Sequence, residues 1–214
     1  MKKELINRLR GLGASAVLAL FVAGCQSDKT QSAANGAATP AAPQPVAAAP
    51  ASTPTPLVNP PPTGQTTIRI KAGASAQWTD SQGNVWAADQ GFNGGDTIER
   101  PDITITNAVD QGIYRSEHYS MDSFSQPLAN GKYLVKLHFC ETFEGIEGPG
   151  QRVFSFNVQG QEFKDFDVWV KAGGPFKAYV ESVPVEITDG KLLITFTSNI
   201  ENPQINGIEI IPQS

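Results

Sequence analysis

From residue 67 onward the chain is cut into short runs in which apolar and polar residues alternate, and no window of about 12 residues carries the 3.6-residue period of a helix. A period of two puts successive side chains on opposite faces, so each run reads as a strand with one buried face. The clearest is 133–139, where Tyr133, Val135, Leu137 and Phe139 share a face and the turn pair Asn130-Gly131 stands just before it. Residues 152–158 set Phe154, Phe156 and Val158 inside, and 67–70 alternate in the same way. Val183, Val185 and Ile187 lead into Asp189-Gly190, a hairpin signal, and Leu192, Ile194 and Phe196 answer on the return strand. Residues 205–210 close the pattern. Regularly spaced short strands with Gly-containing turns predict an all-β fold, a jelly-roll β-sandwich.

The first 66 residues are of another kind. Lys2, Lys3, Arg8 and Arg10 precede an apolar run over 12–23. That run falls short of the about 20 residues that span a bilayer and has the form of a secretory h-region. It ends in Val22-Ala23-Gly24-Cys25. This resembles the lipobox of bacterial lipoproteins, which implies cleavage after residue 24 and acylation of Cys25. An ordinary signal peptide with an incidental cysteine is the alternative. Several acyl chains on one residue hold a membrane more firmly than one chain does. Gln26, where some lipoproteins carry Asp, implies the outer membrane of the bacterial cell envelope. Residues 25–66 are then the lipidated Cys25 and a linker. Residues 40–62 hold 9 of the 16 prolines and residues 33–51 hold 10 alanines, so this stretch is a solvated tether and not core. Its 41 residues after Cys25 would reach on the order of 130 Å as polyproline II and roughly 35 Å as a coil.

The remaining domain, 67–214, is acidic. Five of the 16 Lys/Arg and two of the 21 Asp/Glu precede it, leaving 11 against 19, a net of −8. That balance excludes a basic nucleic-acid footprint. Two cysteines and two histidines leave no room for a zinc cluster or a disulfide framework. Cys140 has no partner once Cys25 is acylated and reads as a small buried residue. Asp80-Ser81-Gln82-Gly83-Asn84 looks like the start of a calcium loop but lacks the later bidentate Glu, so it reads as a turn. No cofactor and no metal is expected, a structural calcium of the kind related sandwiches can hold being the one alternative. The loop 141–150 holds Glu141, Glu144 and Glu147, but a glycosidase needs two carboxyls set about 5–9 Å apart across the bond, and a glycine-rich loop does not establish such a pair. No Gly-x-Ser-x-Gly elbow, phosphate loop or Cys/His dyad appears. The chain does not read as an enzyme.

Six motifs stand in order with compatible spacing. They are Ile68-Arg69-Ile70-Lys71-Ala72-Gly73; Trp78-Thr79-Asp80 with Gly83-Asn84-Val85-Trp86-Ala87-Ala88-Asp89; Ile113-Tyr114-Arg115-Ser116-Glu117-His118-Tyr119; Gly131-Lys132-Tyr133-Leu134-Val135-Lys136-Leu137-His138-Phe139-Cys140-Glu141; Gly150-Gln151-Arg152-Val153-Phe154; and Asn202-Pro203-Gln204-Ile205-Asn206-Gly207-Ile208-Glu209-Ile210. Together they resemble the malectin domain, over about residues 66–212. The resemblance implies a jelly-roll sandwich that binds glycans without catalysis, through loop aromatics and an acidic residue at one end. Carried over by position, it implies that Tyr119 is a stacking ring and that Phe143 stands in for a second tyrosine. It also implies that Glu201, before Asn202, keeps a carboxylate. Glu144 falls where the animal protein has a phenylalanine, and Thr97 where a further tyrosine would align.

Sugars offer an apolar C–H face and a rim of hydroxyls, which calls for flat rings beside carboxylates and amides. Tyr114, Tyr119, Trp86 and Phe143 are the candidate rings; Asp89, Glu117, Glu141, Glu201 and Asn202 are the candidate acceptors. Trp86, beside a turn, reads as core. Tyr114 reads equally as core or site. Tyr119 lies in a polar segment and reads as site. Glu141 buttresses Arg152 or touches a ligand. His118 is a loop candidate for a sugar hydroxyl, and His138 reads as a surface residue. Nothing marks Trp169 as a binder. The expected function is a lipid-anchored carbohydrate-binding protein whose partner is a glycan, with a glucose-containing oligosaccharide as one candidate. The alternative is an interaction or envelope-assembly module that has lost the sugar site.

Overall fold

Residues 65–214 are described, in a computed structural model of the chain; the expected signal peptide, Cys25 and the linker through residue 64 lie outside them. In chain order the strands are β1 (Ile68–Lys71), β2 (Trp78–Thr79), β3 (Val85–Trp86), β4 (Phe92–Asn93), β5 (Asp96–Glu99), β6 (Ser116–Tyr119) and β7 (Ser123–Pro127). Then come β8 (Gly131–Phe139), β9 (Val153–Val158), β10 (Gln161–Phe166), β11 (Tyr179–Ile187), β12 (Lys191–Ile200), β13 (Gln204–Ile205) and β14 (Gly207–Gln213). A 3-10 turn (Gln111–Arg115) precedes β6, and one short helix, α1 (Val168–Ala172), follows β10. The Asp167 side chain caps α1 by accepting from Val170 N at 3.1 Å, and left-handed Gly173 (φ 76) ends it. Among the described residues no helix is long and apolar enough to cross a membrane.

Two antiparallel sheets face each other, ordered β1-β14-β8-β11 and β10-β9-β12-β7-β4. The period-two reading holds. Val135, Leu137, Phe139, Ile70 and Ile208 from the first sheet are fully buried against Phe124, Phe154, Val158, Leu192 and Ile194 from the second. Each such side chain contributes roughly 1.5–3 kcal/mol. The all-β jelly-roll sandwich expected from the alternation is therefore the fold observed. A second cluster gathers Trp86, Ile105, Ile113, Tyr114, Cys140 and Ala178. Trp86 is core, as read, and burial pushes the Cys140 thiol up to about 12, with Glu141 and Glu117 adding to the effect.

The Asp189-Gly190 hairpin is corrected. β11 pairs with β8 in one sheet, and β12 pairs with β7 and β9 in the other, so the turn between them crosses layers. The β7-to-β8 turn crosses at the same place. Asn130 ties the two together: its Nδ2 donates to Thr188 O and its Oδ1 accepts from Gly190 N, both at 3.0 Å. Alternation cannot tell a hairpin from an arch, because both leave one face of each strand inside. The true two-residue hairpin joins β9 to β10 through Gln159 (φ 48) and Gly160 (φ 92), with Val158 opposite Gln161. β13, β6 and β5 form a small sheet at the end of the sandwich where β8 finishes, held by Asn206 N donating to His138 O at 2.9 Å.

Candidate functional site

β6 sorts its side chains by alternation. Ser116 and His118 point inward. Ser116 Oγ accepts from Lys71 Nζ at 2.6 Å and donates to Ala72 O at 2.7 Å. His118 Nδ1 lies 3.0 Å from Asp89 Oδ1, its Nε2 lies 2.9 Å from Gly94 O, and its ring stacks on Phe92 at 4.2 Å. Burial lowers the His118 pKa, but Asp89 and the Gly94 carbonyl outweigh it and the imidazole stands above its usual value. Asp89 Oδ1 also accepts from Gly73 N at 2.7 Å. Both expectations are thereby corrected: His118 and Asp89 hold each other and the β1 loop, and neither is a free partner for a ligand.

Glu117 and Tyr119 point the other way. Glu117 is 3% exposed. Its Oε1 meets Arg100 Nη1 at 3.0 Å, and its Oε2 accepts from Thr142 Oγ1 at 2.8 Å. Arg100 Nη1 also donates to Thr142 Oγ1 at 3.1 Å, which closes a triangle. Glu117 is thus a buried support under the rim and not an acceptor on it. Tyr114 leaves the site as well. It is 4% exposed, and its hydroxyl bonds His138 Nδ1 at 2.9 Å. His138 Nε2 meets Glu209 Oε1 at 3.1 Å, and Glu209 Oε2 meets Arg69 Nε at 3.0 Å. Burial raises the Tyr114 phenol, and the bond from His138 leads the causes that hold the Glu209 carboxyl low. His138, read as a surface residue, is a buried link in this chain. Its outward position on β8 is roofed by the second core, which a strand pattern cannot report.

Tyr119 is half-buried and pairs across strands with Gln204 of β13 and Asp96 of β5, so the three share one face in a row. Glu117 and Ile98, which is 38% exposed, form the next row. Ser120 N donates to Pro203 O at 2.9 Å, tying the end of β6 to the turn that carries Glu201 and Asn202. Both those side chains are exposed, and Glu201 holds left-handed backbone (φ 61), as does Ser120 (φ 60). Such conformations in non-glycine residues cluster at ligand sites.

A buried strut joins this turn to the loop that carries Phe143. Arg152 Nη1 donates to Asn202 O at 2.6 Å and its Nε to Glu141 Oε2 at 2.8 Å, while Glu141 Oε1 accepts from Phe143 N at 3.0 Å. Of the two readings of Glu141, the buttress is the one observed. Burial raises its carboxyl despite Arg152. Phe143 is 46% exposed, and its ring lies over Gly145, where a Cβ would come within 2.5 Å of it. Tyr119 at the end of β6, the turn of Glu201 and Asn202, and the loop of Phe143 are thus tied to one another as one rim. Asp96, Glu144 and Glu201 give it exposed carboxylates.

Arg100, Thr142, Asp96 and Gln204 were not singled out in the sequence. β5 is exposed at all four positions and shows no apolar alternation, so periodicity passes over it. Gln204 stood inside a quoted motif. Its Nε2 donates to Cys140 O at 3.2 Å, and among the described residues its buried Oε1 has no partner. Thr97 lies exposed on β5 opposite His118. Among the described residues no three His, Cys, Asp or Glu side chains gather as metal ligands. The Asp80 carboxylate accepts from Asn84 N at 2.8 Å, Gln82 N at 3.0 Å and Trp86 Nε1 at 3.2 Å, as the turn reading requires. Desolvation raises its pKa, but the bonds from Asn84, Trp86 and Gln82 prevail and hold it at about 2.

The chain is 28% identical over 148 residues to the kinesin-like protein KIN-14E of Oryza sativa subsp. japonica, covering 65% of this chain and 14% of that protein. The ectodomain of ANX1 from Arabidopsis thaliana superposes with TM-score 0.60 at 16% identity, covering 69% of this chain and 48% of that one. A Bacteroides uniformis β-glucuronidase superposes with TM-score 0.63 at 17% identity, covering 70% of this chain and 18% of that one. These superpositions bear on fold alone, and the chain spans only a part of each protein. The model of the malectin domain matches residues 66–208. By that match, over most of its described length, this chain belongs to the malectin domain family.

Proposed function

We propose that this protein is a lipid-anchored cell-envelope component whose malectin domain binds a carbohydrate at the rim of Tyr119, Phe143, Glu201 and Asn202 without transforming it. The observation that carries the reading is the hydrogen-bonded linkage, through Ser120, Arg152 and Glu141, of three segments that bear a half-buried ring, an exposed ring and exposed carboxylates. The Glu117-Arg100-Thr142 triangle and the Arg152–Glu141 strut hold the backbone that carries those side chains, which limits the ordering entropy lost on binding. The rings offer π-surface to a pyranose face, and Asp96, Glu201 and Asn202 offer partners to its hydroxyls. Cys25 and Gln26 support a lipid anchor in the outer membrane, and the Pro/Ala-rich stretch supports a tether. Weak sites of this kind gain from many anchored copies.

Glycan-array screening followed by calorimetry tests the rim. A ligand should be found, and Tyr119→Ala should remove its binding while the fold survives. A blank array with folded protein would transfer the rim to a protein partner, the role of an envelope-assembly module. Cys25→Ser should release the chain from membranes into the soluble fraction; unchanged retention would reject the anchor.

A further inference from the structure

A trough of about 660 Å³ lies on the outer face of the five-stranded sheet, with Ser155, Asn157, Thr195, Thr197, Asn199 and Asp165 along it. None of these residues belongs to the rim. The trough has a cause in the backbone. β10 shifts register against β9 between Phe163 and Phe166, and β12 shifts against β9 between Ser198 and Ile200. Both irregularities fall beside Phe154 of β9. Bulges bend a strand and increase its twist, so two of them flanking one strand at the same end curl the sheet around it.

Apart from Glu162 at its β10 edge, the floor is built of short neutral side chains in register. Glu162, Asn157, Thr195 and Ser123 stand opposite one another across β10, β9, β12 and β7, and Ser155 stands opposite Thr197 in the next row. At a strand spacing of about 4.8 Å the four-residue row spans about 14 Å. At one end three residues close a ring: Asp165 N donates to Ser155 Oγ at 3.2 Å, Ser155 Oγ to Asn199 Oδ1 at 3.1 Å, and Asn199 Nδ2 to Asp165 Oδ1 at 2.8 Å. The ring fixes these groups and holds Asp165 in left-handed backbone (φ 49). Among the residues lining the trough, long charged side chains, the usual cover of a solvated sheet face, are confined to β10, where Lys164 and Glu162 pair with each other at 3.1 Å; Lys191 stands at the far end of β12. The volume matches that of small-ligand sites, which run from about 300 to 1,000 Å³.

We infer that this trough is a second carbohydrate site, which takes an extended segment of neutral polysaccharide laid across β10, β9 and β12. Hydroxyls and amides in rows complement a hydroxyl-rich chain. The mutual pairing of Lys164 and Glu162 leaves Asp165 as the residual charge, which disfavours a polyanion. The site is independent of the rim, and either can fail without the other.

The test is native electrophoresis of the full 214-residue chain, in mild detergent, through gels containing laminarin, xyloglucan, glucomannan or alginate. At least one neutral polymer should retard the chain, and alginate should not. Thr197→Arg and Thr195→Arg each place a long cation on an exposed position in the trough. Each should weaken retardation at least tenfold with an unchanged melting temperature. Asn157→Ala provides a milder third variant should either arginine disturb the fold. Tyr119→Ala should be retarded like the wild type, which separates this site from the rim. The inference is overturned if no neutral polymer retards the chain, if alginate alone does, if the trough variants run as wild type, or if Tyr119→Ala abolishes retardation.

Discussion

Gly73 and Gly83 hold nearly the same left-handed backbone, φ +73 and +81, in opposite surroundings. A Cβ on Gly73 would lie 2.2, 2.4 and 2.7 Å from the backbone O, C and N of Glu117, whereas a Cβ on Gly83 would meet nothing within 4 Å. Alanine at either position bears a conformational cost of about 1–2 kcal/mol. Only at residue 73 does it also collide with main chain, and β6 cannot yield without straining its ladders to β5 and β13. Overpacking of that kind adds about 1–3 kcal/mol, occasionally more. Gly83→Ala should therefore lose about 1–2 kcal/mol and Gly73→Ala about 2–5 kcal/mol. At about 2–4 °C per kcal/mol for a domain of this size, Gly73→Ala should melt roughly 4–20 °C lower than wild type. Urea unfolding of the full chain measures both. Because Tyr119 lies two residues beyond Glu117, Gly73→Ala should also weaken any rim ligand, and Gly83→Ala should not. Equal destabilisation by the two alanines would refute the argument that the contact with β6, and not backbone conformation alone, demands glycine at 73.

Two further outcomes follow from the buried polar groups. Arg152→Met strands the Glu141 carboxylate, whose side chain is 1% exposed, and should cost about 3–5 kcal/mol; adding Glu141→Gln should recover part of the loss, as urea unfolding of the single and double variants would show. For His118 the folded pKa lies above its ordinary 6.5, so the stability it contributes is full below 6.5 and fades as pH rises through the folded value. The difference in unfolding free energy between wild type and His118→Gln should accordingly shrink from pH 6 to pH 8. A difference that grows over that interval would mean the Asp89 contact does not favour the imidazolium.

The site was legible only in part, and the reason is the same at each position. Tyr119 announces itself as a ring in a polar segment and Phe143 is pointed out by the malectin resemblance, and the structure keeps Tyr119 half-buried and Phe143 exposed. Tyr114, Glu117, Asp89 and His118 also lie among polar residues, yet each is taken up by another part of the chain, by His138, Arg100, Gly73 and Gly94. A polar residue in a loop looks alike whether its partner is water or a buried group from a distant segment. Glu117 meets its partners across 17 and 25 residues of chain, through Arg100 and Thr142, and no local pattern encodes such pairings.

What the sequence by itself determined is which face of each long strand is buried. Period-two alternation in β8, β9, β11 and β12 reports that directly, since the hydrophobic effect acts residue by residue and strand geometry is regular. What only the tertiary structure decided is which strand lies beside which. The Asp189-Gly190 turn satisfies its apolar faces equally well by folding back within a sheet or by crossing to the opposite one. The choice rests on non-local contacts, among them the Asn130 side chain that laces two crossings together. The outer trough has the same origin: its rows of serine, threonine and asparagine read as ordinary solvent-facing positions until two bulges curl the sheet and make them line a concave floor.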